Sequence, residues 1–285
     1  IGLHNIDESL RKEETGEAHE PLSISEENLH ITYALKEISE KTKTYLGVDV
    51  GSISTNLVVI DEDKNVLAKR YLMTEGRPLE AVKRGLAEIG EEIGERIEVV
   101  GAGTTGSGRY LTADFIGADI VRNEITAQAE AAITIDQGVD TIFEIGGQDS
   151  KYISIDNGVI VDFEMNKACA AGTGSFLEEQ SERLGISIKE EFGNLALSSK
   201  KPVKMGERCT VFIESDVVHH QQRGATTDDI VGGLSYSIVT NYINKVVGDR
   251  RIGNRIFFQG GTAFNKGVVA ALEHVLKKPV KVPPH

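Results

Sequence analysis

The chain has 285 residues, of which 40% are hydrophobic, and a formal net charge of −13. This length predicts two domains or one bilobal unit, and the acidic surplus argues against a nucleic-acid-binding protein, which needs a basic face. No apolar run approaches the roughly 20 residues of a membrane span, no secretory signal opens the chain, and two cysteines are too few for a disulfide framework. We therefore expect a cytoplasmic protein. Because the chain begins at Ile1 and stops directly after a strand-like run, we also expect a fragment of a longer polypeptide, truncated at its C-terminus.

Residues 1–44 have a composition of their own, with ten acidic and five basic side chains and few apolar ones. Within this stretch, residues 26–43 carry Leu29, Tyr33 and Ile38 at helical spacing, which predicts one polar helix with a thin apolar stripe. The acidic composition favours a linker between domains or a docking segment.

From residue 45 onwards, short apolar runs and glycine turns predict an α/β protein. The chain opens with strands joined by tight turns, whereas a Rossmann fold opens with a strand–helix–strand unit. In chain order, the predicted elements are strands at 45–51, 55–61 and 66–73, a helix at 78–96, strands at 97–103 and 120–121, a helix at 126–137 and a strand at 141–145.

A second section begins near Asp140 and repeats the layout of the first. Residues 141–155 again consist of a strand, a glycine turn and a strand, as residues 45–61 do. Such weak internal duplication predicts two lobes of related topology with a cleft between them. We expect the first lobe at residues 45–139 and the second at residues 140–285.

The first candidate phosphate loop follows the first strand. Gly51 lets the backbone approach an anion closely, and the hydroxyls of Ser52, Ser54 and Thr55 add hydrogen-bond donors. Asp49, at the end of the strand, is suited to hold Mg²⁺ through water, because that ion prefers carboxylate oxygen. A plain hairpin turn explains the same residues equally well.

The second candidate loop lies in the run 144–151. Its paired glycines, Gly146 and Gly147, again permit close approach of a phosphate. Gln148 and Asp149 would face the same cleft, where one would orient an attacking water and the other would bind metal. The alternative is a glycine β-turn without a ligand.

Two further glycine runs are present. In the run 257–267, an apolar strand leads into Gly260 and Gly261 and then into a helix, which suits a nucleoside lying flat against the backbone or a plain strand-to-helix turn. The run 101–109 is also rich in glycine, and the alternative there is a flexible loop. The sequence has no Gly-Lys-Ser/Thr run of the Walker type, which argues against a P-loop NTPase.

Cys169 and Cys209 are the two cysteines of the chain. Cys169 precedes a glycine turn that leads into a helix, and a helix N-terminus lowers the pKa of a thiol and favours the metal-binding thiolate. Two thiolates cannot complete a four-cysteine cluster, so a metal site built on them requires two subunits. The alternative is two unrelated free cysteines.

The order of these turns resembles the superfamily of acetate kinase, sugar kinases, Hsp70 and actin, in which ATP is held between two lobes. The runs 166–174 and 206–216, which contain the cysteines, and the run 146–151 resemble the BadF/BadG/BcrA/BcrD ATPase family. The resemblance covers roughly residues 45–282. That family includes the activators of 2-hydroxyacyl-CoA dehydratases and subunits of benzoyl-CoA reductase.

This resemblance implies a homodimer with one [4Fe–4S] cluster at the subunit interface, ligated by Cys169 and Cys209 of each subunit. It also implies that ATP, bound with Mg²⁺ and hydrolysed to ADP, drives a low-potential electron from the cluster to a partner iron–sulfur enzyme. A ferredoxin or flavodoxin would supply the electron. Glu144 stands at the position of a metal ligand or base and joins Gln148 and Asp149 as a catalytic candidate.

Two other functions stay open from the residues alone. A small-molecule kinase of the same superfamily would need an acceptor pocket and a catalytic Asp but no paired cysteines. A non-catalytic nucleotide-binding module would bind nucleotide without turnover and would use the N-terminal segment for docking.

Overall fold

The computed structural model of the chain describes residues 18–29, 35–39, 41–166, 172–205 and 210–284. Residues 32–134 form one compact unit, to which Pro284 is also assigned, and the residues before 32 join residues 135–283 in another. We call them the first and the second unit. Within the described ranges, no helix combines the length and the hydropathy that a membrane crossing would need.

Helices and strands are interspersed along the chain, with some runs of consecutive strands and one run of consecutive helices. The helices are α1 (Glu26–Leu29), α2 (Pro78–Ile93), α3 (Arg109–Ile116), α4 (Glu124–Ile135), α5 (Gly174–Leu184), α6 (Phe192–Ser198), α7 (Thr210–Gln222), α8 (Thr227–Tyr242) and α9 (Lys266–Leu276). The strands are β1 (Thr42–Val50), β2 (Ser54–Asp61), β3 (Val66–Met73), β4 (Ile97–Thr105), β5 (Ile120–Val121), β6 (Thr141–Ile145), β7 (Ser150–Asp156), β8 (Val159–Met165), β9 (Ile256–Gln259) and β10 (Val280–Lys281).

The sheets of the two units have the same topology. In the first unit the strand order is β3-β2-β1-β4-β5, with β1–β2 and β2–β3 antiparallel and β1–β4 and β4–β5 parallel. In the second unit the order β8-β7-β6-β9-β10 repeats these directions strand for strand. The repeated layout of the sequence therefore corresponds to a repeated fold.

The core of the first unit follows from alternation along its strands. From Thr44 onwards every second residue of β1 is buried, and Leu46, Val48 and Val50 among them pack with Val82 and Ile89 of helix α2. Helix α2 begins at Pro78, which tolerates the first helical turn because its missing N–H has no partner there.

The core of the second unit is larger and lies against helix α8. This helix is buried along most of its length, and Ile238 and Tyr242 pack with Phe143 and Ile145 of β6. Strand β6 is central in its sheet and is buried at every position. The packing of β6 therefore fixes the point from which the following loop begins.

The segment before β1 attaches to both units in turn. Leu22 is buried in the second unit's core, and the amide of Asn28 donates to the carbonyl of Val280 at 2.5 Å. Farther along, the N–H of Lys36 donates to the carbonyl of Val66 in the first unit at 2.9 Å. This segment is therefore a packed part of the fold over the ranges 18–29 and 35–39.

The prediction of one helix over residues 26–43 is wrong. Helix α1 ends at Leu29, residues 35–39 are irregular, and β1 already begins at Thr42. Thr42 pairs with Ile97 in a parallel ladder. Sheet hydrogen bonds and core packing outweigh a thin apolar stripe, because short helices are marginal without a buried face.

Candidate functional site

The loop between β6 and β7, residues Gly146–Asp149, forms a closed turn at the end of the central strand. The N–H of Gly146 donates to the carbonyl of Asp149 at 2.9 Å. Gln148 and Asp149 are exposed, whereas the flanking Ile145 and Ser150 are buried. We call residues 146–149 the phosphate loop of the second unit, after the role that the sequence predicts for it.

The turn after β9 packs directly on this loop. Gly260 has φ +90°, and a Cβ there would lie 2.5 Å from the carbonyl oxygen of Ile145 and 2.9 Å from Glu144 Oε1. Thr262 donates its hydroxyl to the same carbonyl at 2.8 Å. Gly261 is exposed, with no atom within 4 Å of an added Cβ. Since β6 and β9 are parallel, both turns lie at the carboxyl edge of the sheet, where ligands of α/β proteins bind.

Glu144 lies beneath the loop. It faces Lys151 across the β6–β7 pair, and the two side chains form an ion pair with an Oε2–Nζ distance of 2.8 Å. The side chains are only 8% and 6% exposed, respectively. The phenol of Tyr242 donates to the carbonyl of Lys151 at 2.6 Å, and burial together with the charge of Glu144 raises the pKa of Tyr242 well above its usual value. This arrangement fixes the base of the loop.

The first unit contains the same arrangement around Asp49. The N–H of Gly51 donates to the carbonyl of Ser54 at 2.9 Å, as Gly146 does to Asp149. Gly106 has φ +83°, and a Cβ there would lie 2.5 Å from the carbonyl oxygen of Val50 and would overlap Asp49 Oδ1. The carboxylate of Asp49 therefore lies against Gly106 in the first unit, as the carboxylate of Glu144 lies against Gly260 in the second unit.

The arrangement in the first unit explains the glycine run 101–109. Residues 101–105 belong to β4, and the turn that follows donates to the end of β1 through the N–H of Gly108, at 2.9 Å from the carbonyl of Val50. The run is thus an ordered turn rather than a flexible loop. The signal in the sequence is the glycine at position 106, because only glycine adopts a positive φ at low cost next to a backbone carbonyl.

The predicted donors of the first loop divide into two groups. Ser52 is exposed and Ser54 partly so, as is Asp49. Thr55 is fully buried, and its hydroxyl pairs with that of Thr74 at 3.0 Å. Thr74 in turn donates to the carbonyl of Gly51 at 2.9 Å. The structure thus places Thr55 below the turn, on the same strand face as the core residue Leu57.

The two predicted cluster ligands, Cys169 and Cys209, lie outside the described residues. In the part of the chain that the structure does describe, no cluster of three or more metal-binding side chains occurs. Both flanks of the segment 167–171 are described, and both contact the phosphate loop. On one side the side-chain amide of Asn166 donates to the carbonyl of Gln148, and on the other the N–H of Gly174 donates to the carbonyl of Gly146.

Sequence reasoning missed three residues that shape the site. Lys151 was part of a recognised motif, and a hairpin with a four-residue turn would have placed it opposite Glu144. Thr262 follows the double glycine and showed no distinctive pattern. Asn166 offered no local signal, because its contacts depend on the register between β7 and β8.

Comparison with known protein sequences gives consistent results. The model of the BadF/BadG/BcrA/BcrD ATPase family matches residues 46–285. The (R)-2-hydroxyglutaryl-CoA dehydratase activating ATPase of Acidaminococcus fermentans is 33% identical, over 84% of this chain and 90% of that protein. One of the benzoyl-CoA reductase subunits of Thauera aromatica is 27% identical, over 81% and 83%. Protein MJ0800 of Methanocaldococcus jannaschii is 31% identical over 84% of this chain, which corresponds to 58% of MJ0800.

Solved structures show the same likeness. Component A of the A. fermentans (R)-2-hydroxyglutaryl-CoA dehydratase has a TM-score of 0.78 at 31% identity, over 85% of this chain and 92% of that one. The activator of 2-hydroxyisocaproyl-CoA dehydratase from Clostridium difficile, with bound ADPNP, has a TM-score of 0.73 at 27% identity, over 84% and 88%. A glucokinase of the ROK family from Streptomyces griseus shares the fold alone, with a TM-score of 0.50 at 12% identity, over 84% and 94%. The predicted fold of the actin, Hsp70 and sugar-kinase superfamily is confirmed.

Proposed function

Because the chain belongs to the BadF/BadG/BcrA/BcrD ATPase family, we propose that it is an ATP-dependent electron-transfer activator. It would pass a low-potential electron from a [4Fe–4S] cluster, held at a homodimer interface, to a partner iron–sulfur enzyme. The partner would be a 2-hydroxyacyl-CoA dehydratase or a reductase of the benzoyl-CoA type, the two classes that the names of its relatives indicate. A ferredoxin or flavodoxin would supply the electron.

The observation that carries the nucleotide part of this proposal is the repeated turn. Each unit presents a carboxylate, Asp49 or Glu144, beneath a glycine of positive φ, Gly106 or Gly260. In each unit a glycine turn follows directly, closed by the same hydrogen bond at 2.9 Å. Glycine turns with exposed backbone at the carboxyl edge of a sheet suit phosphate groups.

In the first unit, Ser52 and Ser54 would contact phosphate. In the second unit, the backbone of Gly146 and Gly147 would contact phosphate. The adenosine would lie against Gly260 and Gly261, next to the open space at Gly261. We assign Thr55 and Gly51 to the support of the first turn, because the hydroxyl of Thr55 is buried against Thr74.

The two equivalent carboxylates would have different tasks. Asp49 is partly exposed and would hold Mg²⁺ through water, so that the ion neutralises phosphate charge. Glu144 is buried against Lys151, which supports a positioning role beneath the phosphate loop rather than direct contact with water. The exposed Gln148 or Asp149 would then orient the attacking water.

The cysteines of the chain would supply all four ligands of the cluster only in a dimer. A [4Fe–4S] cluster takes four thiolates, and the chain has two cysteines, Cys169 and Cys209. Two copies together supply the four. When bound, the cluster would store and release one electron at low potential.

The nucleotide part is tested by ATP turnover of the purified, reduced chain in the presence of Mg²⁺. We expect release of inorganic phosphate, and a loss of turnover by about 10²-fold or more in Gln148→Ala or Asp149→Asn. Transfer of phosphate to an added small-molecule acceptor in iron-free protein would establish a kinase instead. Nucleotide binding without turnover would establish a binding module.

A further inference from the structure

We infer that Asn56 and Thr105 are positioning residues for the Mg²⁺ site at Asp49, where they hold water ligands of the ion. The inference rests on the proposed function, because that function assigns Mg²⁺ to Asp49. It goes further, because it adds two neutral side chains to the site and gives each of them a task that can be tested without ATP turnover.

Asp49 is the middle member of a row of three side chains on adjacent strands. It lies opposite Asn56 of β2 in an antiparallel pair and opposite Thr105 of β4 in a parallel pair. Residues that lie opposite each other on neighbouring strands project their side chains from the same face of the sheet. We call Asn56, Asp49 and Thr105 the first row. All three residues are partly exposed.

The second unit repeats this row with different chemistry. Glu144, the equivalent of Asp49, lies opposite Lys151 of β7 and opposite Gln259 of β9. We call Lys151, Glu144 and Gln259 the second row. Here a lysine supplies a positive charge to the carboxylate, at an Oε2–Nζ distance of 2.8 Å and with both side chains buried.

No member of the first row is basic. Asn56, which stands where Lys151 stands in the second row, is neutral. The oxygens of an amide, a carboxylate and a hydroxyl suit a hard cation, and Mg²⁺ is usually held by one or two carboxylates while it keeps several of its waters. Asn56 Oδ1 and Thr105 Oγ1 are acceptors for the hydrogens of such waters. The first row therefore offers a hydrated cation the place that an ammonium group fills in the second.

A buried hydroxyl supports this site. Thr105 Oγ1 is buried and has no hydrogen-bond partner in the part of the chain that the structure describes. Most buried polar atoms are paired, and an unpaired one costs about 1 to 3 kcal/mol. The carboxylate of Asp49 extends to the next residue along β4, because a Cβ on Gly106 would overlap Asp49 Oδ1. The unpaired hydroxyl thus belongs to the residue directly before this contact.

The corresponding oxygen of the second row is unpaired as well. Gln259 Oε1 is buried and has no hydrogen-bond partner among the described residues, and the residue that follows it, Gly260, has a positive φ as Gly106 does. Two unpaired oxygens at equivalent places beside two carboxylates point to a common cause rather than to separate packing defects. A partner that comes with the solvent or with a ligand satisfies both. In the first row the partly exposed carboxylate of Asp49 makes that partner a hydrated cation.

The test measures how much Mg²⁺ strengthens the binding of ADP to the full chain. The dissociation constant of ADP is determined by calorimetry in EDTA and in saturating Mg²⁺, and we call the first constant divided by the second the Mg²⁺ effect. In the wild type we expect a Mg²⁺ effect of about fivefold or more, the lower end of ordinary coupling between two ligands. Asp49→Asn should bring it close to one.

Thr105→Val keeps the shape of the side chain and removes its hydroxyl. It should lower the Mg²⁺ effect by about threefold or more, the equivalent of one hydrogen bond, whereas Thr105→Ser should keep the effect. Thr104→Val is the matched control, because the hydroxyl of Thr104 donates to the carbonyl of Arg109 at 2.9 Å and lies on the opposite face of β4. This variant should keep the wild-type Mg²⁺ effect.

Two substitutions of Asn56 should act in opposite directions. Asn56→Leu removes the amide oxygen and should lower the Mg²⁺ effect by about threefold or more. Asn56→Asp adds a second carboxylate, which suits Mg²⁺, and should raise the effect above that of the wild type. Altered packing alone would not move the two variants in opposite directions, so this pair also decides the matter if Thr105→Val fails to fold.

The outcomes separate this inference from the proposed function. A wild-type chain that binds no ADP overturns the proposed function, and a Mg²⁺ effect that survives in Asp49→Asn overturns the assignment of the ion to Asp49. Either result overturns this inference as well. A Mg²⁺ effect that is lost in Asp49→Asn but unchanged in Thr105→Val and Asn56→Leu overturns this inference alone. An equal loss in Thr104→Val and Thr105→Val does the same, because the effect would then follow the fold of the turn.

Discussion

Asp49 and Glu144 occupy equivalent positions in the two units, but Asp49 is partly exposed whereas Glu144 is buried in an ion pair with Lys151. Each carboxylate lies beneath a glycine of positive φ at the carboxyl edge of its sheet. The two equivalent carboxylates therefore differ in their exposure to solvent and in their ion pairing.

Lys151→Met tests the supporting role. The substitution leaves the buried carboxylate of Glu144 without its lysine, and breaking a buried ion pair in this way costs about 3 to 5 kcal/mol. The free energy of unfolding, measured with urea, should fall by that amount. The control is Lys83→Met, which breaks the exposed pair of Lys83 with Glu80 and should cost less than about 1 kcal/mol.

The double variant Glu144→Gln with Lys151→Met removes both charges. It should recover much of the stability lost in Lys151→Met, because no unpaired buried charge remains. An equal loss in the single and the double variant would show that lost packing around Lys151, rather than the charge of Glu144, determines the effect.

Gly260→Ala tests the close approach of the two turns in the second unit. The backbone at φ +90° and the carbonyl oxygen of Ile145 at 2.5 Å both oppose a methyl group. We expect a loss of at least about 2 kcal/mol in the free energy of unfolding. Gly261→Ala adds the same methyl group in open space and should change stability by less than about 0.5 kcal/mol. Similar losses in the two variants would disprove the contact.

The pair formed by Lys36 and Asp61 makes a pH-dependent contribution to stability. Burial by itself would raise the pKa of Asp61, but hydrogen bonds from Lys36 and Asn65 outweigh it and lower the pKa from 3.8 to about 2. Since the folded-state pKa lies below the unfolded one, the contribution is complete above a pH of about 4 and is lost as the pH falls toward 2.

Lys36→Met should therefore raise the pKa of Asp61 toward 3.8, as followed by NMR titration of its carboxyl group. Lys41→Met, at a neighbouring exposed position, is the control and should leave this pKa unchanged. An unaltered titration of Asp61 in Lys36→Met would mean that residues 35–39 do not pack on the first unit in solution.

Asn28→Ala tests whether the segment before β1 is part of the second unit. Asn28 is only 3% exposed, its amide donates to the carbonyl of Val280 at 2.5 Å, and its Oδ1 accepts from the N–H of Val282 at 3.1 Å. Loss of these buried partners should cost about 2 kcal/mol in the free energy of unfolding. Ser23→Ala, at a more exposed position of the same segment, should cost less than about 1 kcal/mol. A negligible loss in Asn28→Ala would favour a detached linker.

The sequence predicts the strands and their glycine turns well, because alternation of apolar residues and positive-φ glycines are local properties. The burial of Thr55 could also have been predicted from the sequence. Side chains alternate between the two faces of a strand, and Thr55 shares a face with Leu57 and Val59. The prediction of a helix over residues 26–43 is wrong because Thr42 pairs with Ile97, which lies 55 residues farther along the chain. A local sequence pattern does not show such a distant pairing.

The contacts of the candidate site are mostly non-local and could not be derived in the same way. The hydrogen bonds of Gly174 to Gly146 and of Asn166 to Ser150 depend on how a helix and a hairpin close around one loop. Local sequence patterns carry no information on such closures. The motifs identified the residue types of the loop, and the fold supplied their partners.

We propose that nucleotide turnover is linked to a cluster that two copies of the chain hold together. The most direct test of this proposal is the iron and sulfide content of anaerobically purified protein, measured together with its molar mass. We expect a dimer with about four irons and four sulfides, and loss of this iron in Cys169→Ser without loss of nucleotide affinity. An iron-free dimer, a monomer that holds the cluster, or a Cys169→Ser variant that keeps its iron would contradict it.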